Sequence, residues 1–157
     1  MASPNVAFSS GQVLTASQTN NFPFGVCGYQ ELTTNFATTG THTNWQDNGM
    51  TLTITEISGR YYRVTAYSNP YPSGGLQGVN FRIVRGSTSI KQGNYSANVM
   101  DTGTALPVVF TYVYKSTASG SATFKVQIQA PTANTAVNDY ADATFPRQFV
   151  IEDIGIS

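Results

Sequence analysis

The sequence predicts an all-β protein, an antiparallel two-sheet sandwich of jelly-roll type with an extended N-terminal arm. Apolar residues recur with period two in one short run after another from Val26 onward, the pattern of strands with one buried face. No stretch between these runs is long and periodic enough for a crossover helix, so the strands are expected to pair antiparallel. That many short strands must close or double up to hide their apolar faces. An immunoglobulin-like sandwich is the alternative; the paired cysteines of many such domains are absent, since the chain has one cysteine.

Residues 1–25 read as the arm and 26–157 as the sandwich domain. The arm shows no sustained alternation and contains Pro4, Gly11, Pro23 and Gly25. Thr15 followed by Gln18 is a capping-box pattern, which predicts a turn of helix over 16–21 stopped before Pro23. Phe8, Val13, Leu14, Phe22 and Phe24 are apolar side chains that a solvated tail does not need. They are expected to contact another protein or subunit.

The first strand is expected within 27–36. Leu52 and Ile54 then alternate with threonines, Tyr62, Val64 and Ala66 with Arg63 and Thr65, and Val79, Phe81 and Ile83 with Asn80 and Arg82. A strand over 89–96 precedes the two clearest runs. Leu106, Val108, Phe110, Tyr112 and Tyr114 share one face, as do Ala122, Phe124, Val126, Ile128 and Ala130, and these two strands are expected to form the centre of the core. Runs at 137–140 and 148–152 bring the number to eight or nine. Asp47-Asn48-Gly49 reads as a turn, while Ser58-Gly59 and the small residues of 116–121 read as hairpin links. Two prolines and two glycines in Ser68-Asn69-Pro70-Tyr71-Pro72-Ser73-Gly74-Gly75 predict an exposed loop, with Tyr71 as its binding residue.

Composition narrows the function. At 157 residues the chain fits one domain able to bury roughly two thirds of its unfolded surface. Eight acidic and eight basic residues give no net charge, and therefore no strong field to attract nucleic acid or a membrane surface. No apolar stretch approaches the roughly 20 residues of a membrane span, and the first residues do not read as a signal peptide. Cys27, between Val26 and residues of a strand, is expected to be a buried thiol. Trp45 is expected to close one end of the core.

Catalytic chemistry has few footholds. His42 is the single histidine, with no Gly-x-Ser-x-Gly turn and no carboxylate spaced to orient it. One His and one Cys cannot complete a structural zinc site. The carboxylates Asp139, Asp142, Glu152 and Asp153 do not follow a calcium-loop spacing, and Glu152-Asp153 is better read as the end of the last strand engaging backbone or an Arg of a neighbour. No cofactor, metal or enzymatic activity is expected. Asn94-Tyr95-Ser96 fits a glycosylation acceptor by chance in a chain read as unsecreted.

The two ends carry more information. Gly11-Gln12-Val13-Leu14-Thr15-Ala16 leading to Asn20-Asn21, and the closing run Phe149-Val150-Ile151-Glu152-Asp153-Ile154-Gly155, resemble the ends of small structural proteins of tailed bacteriophages. The resemblance implies a virion component, first a capsid decoration (cement) protein on the outer surface of the head. Its partners would then be the major capsid protein and further copies of itself, in a homotrimer with arms reaching to adjacent capsid proteins. The alternative is a tail-fibre or host-adhesion subunit that grips a cell-surface glycan through the Tyr71 loop.

Overall fold

A computed structural model describes residues 13, 22–38, 44–72, 78–95, 105–130 and 136–156. The expected helical turn at 16–21, His42, and the contact residues Phe8 and Leu14 lie outside them. Within them the protein is all-β, with eleven strands: β1 (Gly25–Leu32), β2 (Phe36–Ala37), β3 (Gln46–Glu56), β4 (Arg60–Ser68), β5 (Pro70–Pro72), β6 (Val79–Arg85), β7 (Thr88–Tyr95), β8 (Val108–Lys115), β9 (Gly120–Gln129), β10 (Val137–Asp139) and β11 (Arg147–Ile156). They form two four-stranded sheets, β1-β11-β4-β8 and β3-β9-β6-β7, and a small sheet β2-β10-β5. Every pairing is antiparallel.

Without the short strands β2, β5 and β10, the remaining eight pair first with last, second with seventh, third with sixth and fourth with fifth. The chain is thus one long hairpin bent back over itself, its tip at the β6–β7 turn, where Gly86 takes φ +59°, a conformation that glycine adopts without steric penalty. Consecutive strands otherwise leave for the opposite sheet. Ser58-Gly59 and residues 116–119 are therefore not hairpin links, as the turn chemistry predicted, but steps between sheets. The two steps lie side by side: the Gly59 amide donates to the Ser116 carbonyl at 2.8 Å and the Ser116 amide to the Arg60 carbonyl at 2.9 Å.

Both large sheets feed one core. Tyr62, Val64, Ala66, Phe110, Phe149 and Ile151 come from the first, and Met50, Ile54, Phe81, Ile83, Ala122, Phe124, Val126 and Ile128 from the second. The period-two register is as expected, since side chains of the predicted inner faces of β4, β6 and β9 are buried. Tyr114 and Phe124 meet across the core with ring centroids 5.7 Å apart. Of the two strands expected at the centre, β9 is an inner strand but β8 is the edge of the other sheet.

Local expectations fail where polar or turn-forming residues are held by distant partners. Asp47-Asn48-Gly49 is not a turn but a bulge within β3. Gly49 adopts φ +90° there, and the Asn48 side chain points into the protein. The 68–75 segment is not all loop: Ser68 ends β4, and Pro70–Pro72 form β5 on β10, with Asn69 donating its amide to Asp139 at 2.9 Å. Prolines are tolerated because β5 is an edge strand. Cys27 is exposed on the edge strand β1, against the expectation of burial. Trp45 lies half-buried beneath Arg82, whose guanidinium carbon sits 4.5 Å from the ring centroid, so it covers the outside of a sheet rather than an end of the core.

Candidate functional site

At the root of the arm, apolar residues meet a buried ion pair. Alternation places Arg60 on the inner face of β4 with Tyr62 and Val64, and Asp153 on the inner face of β11 with Ile151 and Phe149. Each charge is unsuited to that face alone, and each answers the other. Arg60 Nε and Nη2 donate to Asp153 at 2.5 and 2.7 Å, with the two side chains only 3% and 1% exposed. A bulge between Asp153 and Gly155 lets the Gly155 amide donate to the same carboxylate at 2.8 Å. The hydrogen bond to Asp153, set against burial, moves the Arg60 guanidinium still higher in its range, so Arg60 keeps its charge although it is buried.

Arg60 also reaches outward. Nη2 donates to the Phe22 carbonyl at 2.5 Å, and the guanidinium carbon stacks 4.0 Å from the centroid of the Phe24 ring, a cation–π geometry. Phe22 and Phe24 nevertheless remain 40% and 55% exposed, beside exposed Val26. Two of the five expected contact residues are therefore brought together on one cation, with their outer surfaces in water. Val13 is exposed.

The opposite end of β4 carries a second buried polar cluster. Asp139 accepts from Ser68 Oγ at 2.6 Å, Asn48 Nδ2 at 3.0 Å, the Asn69 amide and Arg147 Nη1 at 3.3 Å. Burial pushes its carboxyl up, opposed by Arg147, Ser68, the Asn69 amide and Asn48 in turn. Arg147 further donates to the carbonyls of Asn48 and Thr34. The cluster ties the small sheet to both large ones. Tyr71, expected on an exposed loop, is half-buried in β5 opposite Asn138. Near it the exposed aromatic is Phe145, 59% accessible, on a loop whose Thr144 and Phe145 amides both donate to Asp142 at 2.7 Å.

The outer faces of the two large sheets differ. That of β3-β9-β6-β7 is a polar ladder: Lys125 and Gln127 donate to Asp47 at 2.6 and 2.5 Å, Arg82 to Gln127 at 2.6 Å, and Thr53 and Thr123 meet at 2.9 Å. The outer face of β1-β11-β4-β8 carries Val26, Tyr29, Tyr67, Val109 and Val113 as exposed apolar or aromatic residues. It also holds a groove of about 490 Å³ lined by Arg63, Thr65, Tyr67, Thr111, Val150 and Glu152. Arg63 pairs with Glu152 through two hydrogen bonds of 2.7 and 3.1 Å, and that guanidinium holds the Glu152 carboxyl below its ordinary range.

The expectation that Glu152-Asp153 engages an Arg of a neighbouring strand is met on β4, by Arg63 and Arg60, although the strand runs on to Ile156 rather than ending there. Which Arg would pair with Asp153 was not read from the sequence, although a signal exists. Arg60 and Asp153 are each a charge at an inward position of an otherwise apolar alternating run, which in a folded domain demands a partner. Among the described residues no three His, Cys, Asp or Glu side chains gather as a metal site.

No family model matches the chain, and no curated protein matches it. Solved structures similar to it include the insecticidal delta-endotoxin Cry8Ea1 of Bacillus thuringiensis, at 14% identity over 74% of this chain with a TM-score of 0.41. Another is dimeric latent PorU of Porphyromonas gingivalis, at 10% identity over 84% of this chain with a TM-score of 0.39. The chain spans 19% and 13% of those two proteins, and likeness at this level carries no argument about function.

Proposed function

We propose that this chain is a phage virion structural protein, a capsid decoration protein with a jelly-roll sandwich that docks through the root of its N-terminal arm. The first-with-last, second-with-seventh pairing of the eight long strands supports the jelly-roll reading, because that order is a folded double Greek key. The observation that carries the docking role is the pinning of Phe22 and Phe24 on buried Arg60 while their outer surfaces stay exposed. Rigid aromatic anchors lose little freedom on binding and are the residue class enriched in interface hot spots. The partner in this reading is the major capsid protein, on the outer surface of the head, with the protein itself trimeric.

Magnitudes are adequate for such a role. Full burial of a Phe is worth roughly 1.5–3 kcal/mol, and about half of each ring's surface remains to be buried here. The pair therefore contributes about 1.5–3 kcal/mol per copy, roughly ten- to a hundredfold in affinity. Three linked copies multiply that through effective concentration. A shell so decorated is stabilised because opening a capsomer boundary must also break these contacts.

Undecorated heads provide the test. Phe22→Ser/Phe24→Ser protein should fold as the parent does and occupy heads at least about tenfold less well at limiting concentration. Full occupancy by the double variant would remove the arm root from the contact. Failure of the parent protein to bind any head, with a few copies at tail tips instead, would favour the adhesion-subunit alternative.

A further inference from the structure

We infer that the groove on the outer face of the β1-β11-β4-β8 sheet is a binding site for a neutral linear oligosaccharide. The register builds it directly. One row across the sheet is Tyr29, Val150, Thr65 and Thr111; it is flanked by Val26, Glu152, Arg63 and Val113 on one side and by Glu31, Gln148, Tyr67 and Val109 on the other. Val150, Thr65 and Thr111 of the middle row are the floor, made low by their short side chains, whereas Tyr29 on β1 lies outside the lining and is 53% exposed; Thr65 is only 8% exposed although it faces outward. Longer side chains in the flanking rows are the walls. The trough thus runs across β11, β4 and β8, whose side chains line it, and three strands spaced ~4.8 Å apart give it a length of about 10 Å. Its volume of about 490 Å³ is within the roughly 300–1,000 Å³ of ligand clefts.

The lining chemistry selects the ligand class. Thr111 Oγ and Thr65 Oγ meet at 3.2 Å on the floor, which leaves hydroxyl lone pairs directed along it. Arg63 spends two of its five N–H donors on Glu152, so the wall offers both donors and acceptors. Arg63 and Glu152 balance one another among the lining residues, and Glu31 in the flanking row adds a negative charge bonded to Tyr29 and Gln148, so the walls hold no positive charge to spare for an anion. An anionic chain would have to break that pair or leave its own charge uncompensated. Tyr67 supplies a half-exposed ring on the opposite wall, suited to the apolar face of a sugar. Polyhydroxylated, uncharged and linear are the properties that match the hydroxyl floor, a wall whose Arg63 is already paired and an elongated trough together. The groove residues face outward from the sheet whereas Arg60 and Asp153 face inward, and glycan binding does not depend on head binding.

The parent protein is titrated with maltohexaose, cellohexaose, mannohexaose and N-acetylchitohexaose, with hexagalacturonate as the acidic control and an uncharged Ser/Thr/Gly peptide as the extended-chain control. Nuclear magnetic resonance reports the site and calorimetry the affinity. At least one neutral hexasaccharide is expected to shift the Thr65, Tyr67 and Thr111 resonances saturably. Thr111→Val and Arg63→Gln should each weaken it about tenfold or more. Thr123→Val, on the outer face of the other sheet, should leave it unchanged, and melting temperatures establish that all three variants fold. Binding by none of the four saccharides, binding in the groove by the peptide or by hexagalacturonate instead, or affinity indifferent to Thr111→Val and Arg63→Gln would overturn the inference. Both groove variants should decorate heads normally; loss of decoration would also overturn it, by assigning this face to the shell.

Discussion

Asp153→Ala tests the central structural device, because Asp153 is a buried counter-charge hydrogen-bonded twice to Arg60. The substitution removes two charge-assisted bonds from Arg60 and the acceptor of the Gly155 amide, leaving a guanidinium that is 3% exposed without that carboxylate. Removing one partner of a buried pair costs about 3–5 kcal/mol, chiefly through the charge left uncompensated. Against a total stability of roughly 5–15 kcal/mol, that is a large fraction, and it corresponds to a melting-temperature drop of about 6–20 °C for a chain of this size. Urea unfolding gives the value directly, provided the m-value is unchanged. Arg60→Met/Asp153→Leu separates the two roles of the pair: apolar replacement of both charges is expected to restore the body to within about 2 kcal/mol of the parent. It should still lose head occupancy, since Phe22 and Phe24 no longer have a cation to hold them. An Asp153→Ala loss below about 1 kcal/mol would refute the reasoning, as would full occupancy by the double variant.

Phe124 is wholly buried between the sheets, so Phe124→Ala should cost about 3–5 kcal/mol in urea unfolding, whereas Gln127→Asp on the outer face of the same strand should stay within about 1 kcal/mol. Gly93→Ala would place a Cβ 2.8 Å from the Phe110 ring and is expected to destabilise by about 1–3 kcal/mol, with partial recovery when Phe110 is shortened to Leu. Arg63 lowers the Glu152 carboxyl in the folded protein, so this pair's contribution is present above the ordinary glutamate pKa of about 4.3 and is lost as the pH falls through the lower folded value. Carboxyl-carbon resonance titration should show Glu152 ionising below that ordinary value, and Arg63→Gln should return it there.

Alternation determined which side of each strand is buried. Val64 and Ala66, Phe81 and Ile83, and Phe124 through Ile128 could be placed inward from the sequence because a side chain's face is a local property of a pleated strand. The all-β class followed, and Phe22 and Phe24, named as contact residues, lie exposed ahead of β1. Which strand neighbours which did not follow. Backbone ladders form equally well with any partner strand, and a short link such as Ser58-Gly59 can close a hairpin or step to the opposite sheet. Tertiary packing chose the step, and so gave the second and third long strands to different sheets. Partnership also decided the fate of the polar residues. Asn48, read as part of a turn, and Asp139, read among scattered carboxylates, are buried because they meet each other and Arg147 from segments 91 and 8 residues away. Arg60 is buried because Asp153, 93 residues further along the chain, completes it. A charge at an inward position announces that it needs a partner, but only the folded chain, by bringing distant segments within hydrogen-bonding distance, determines which partner that is.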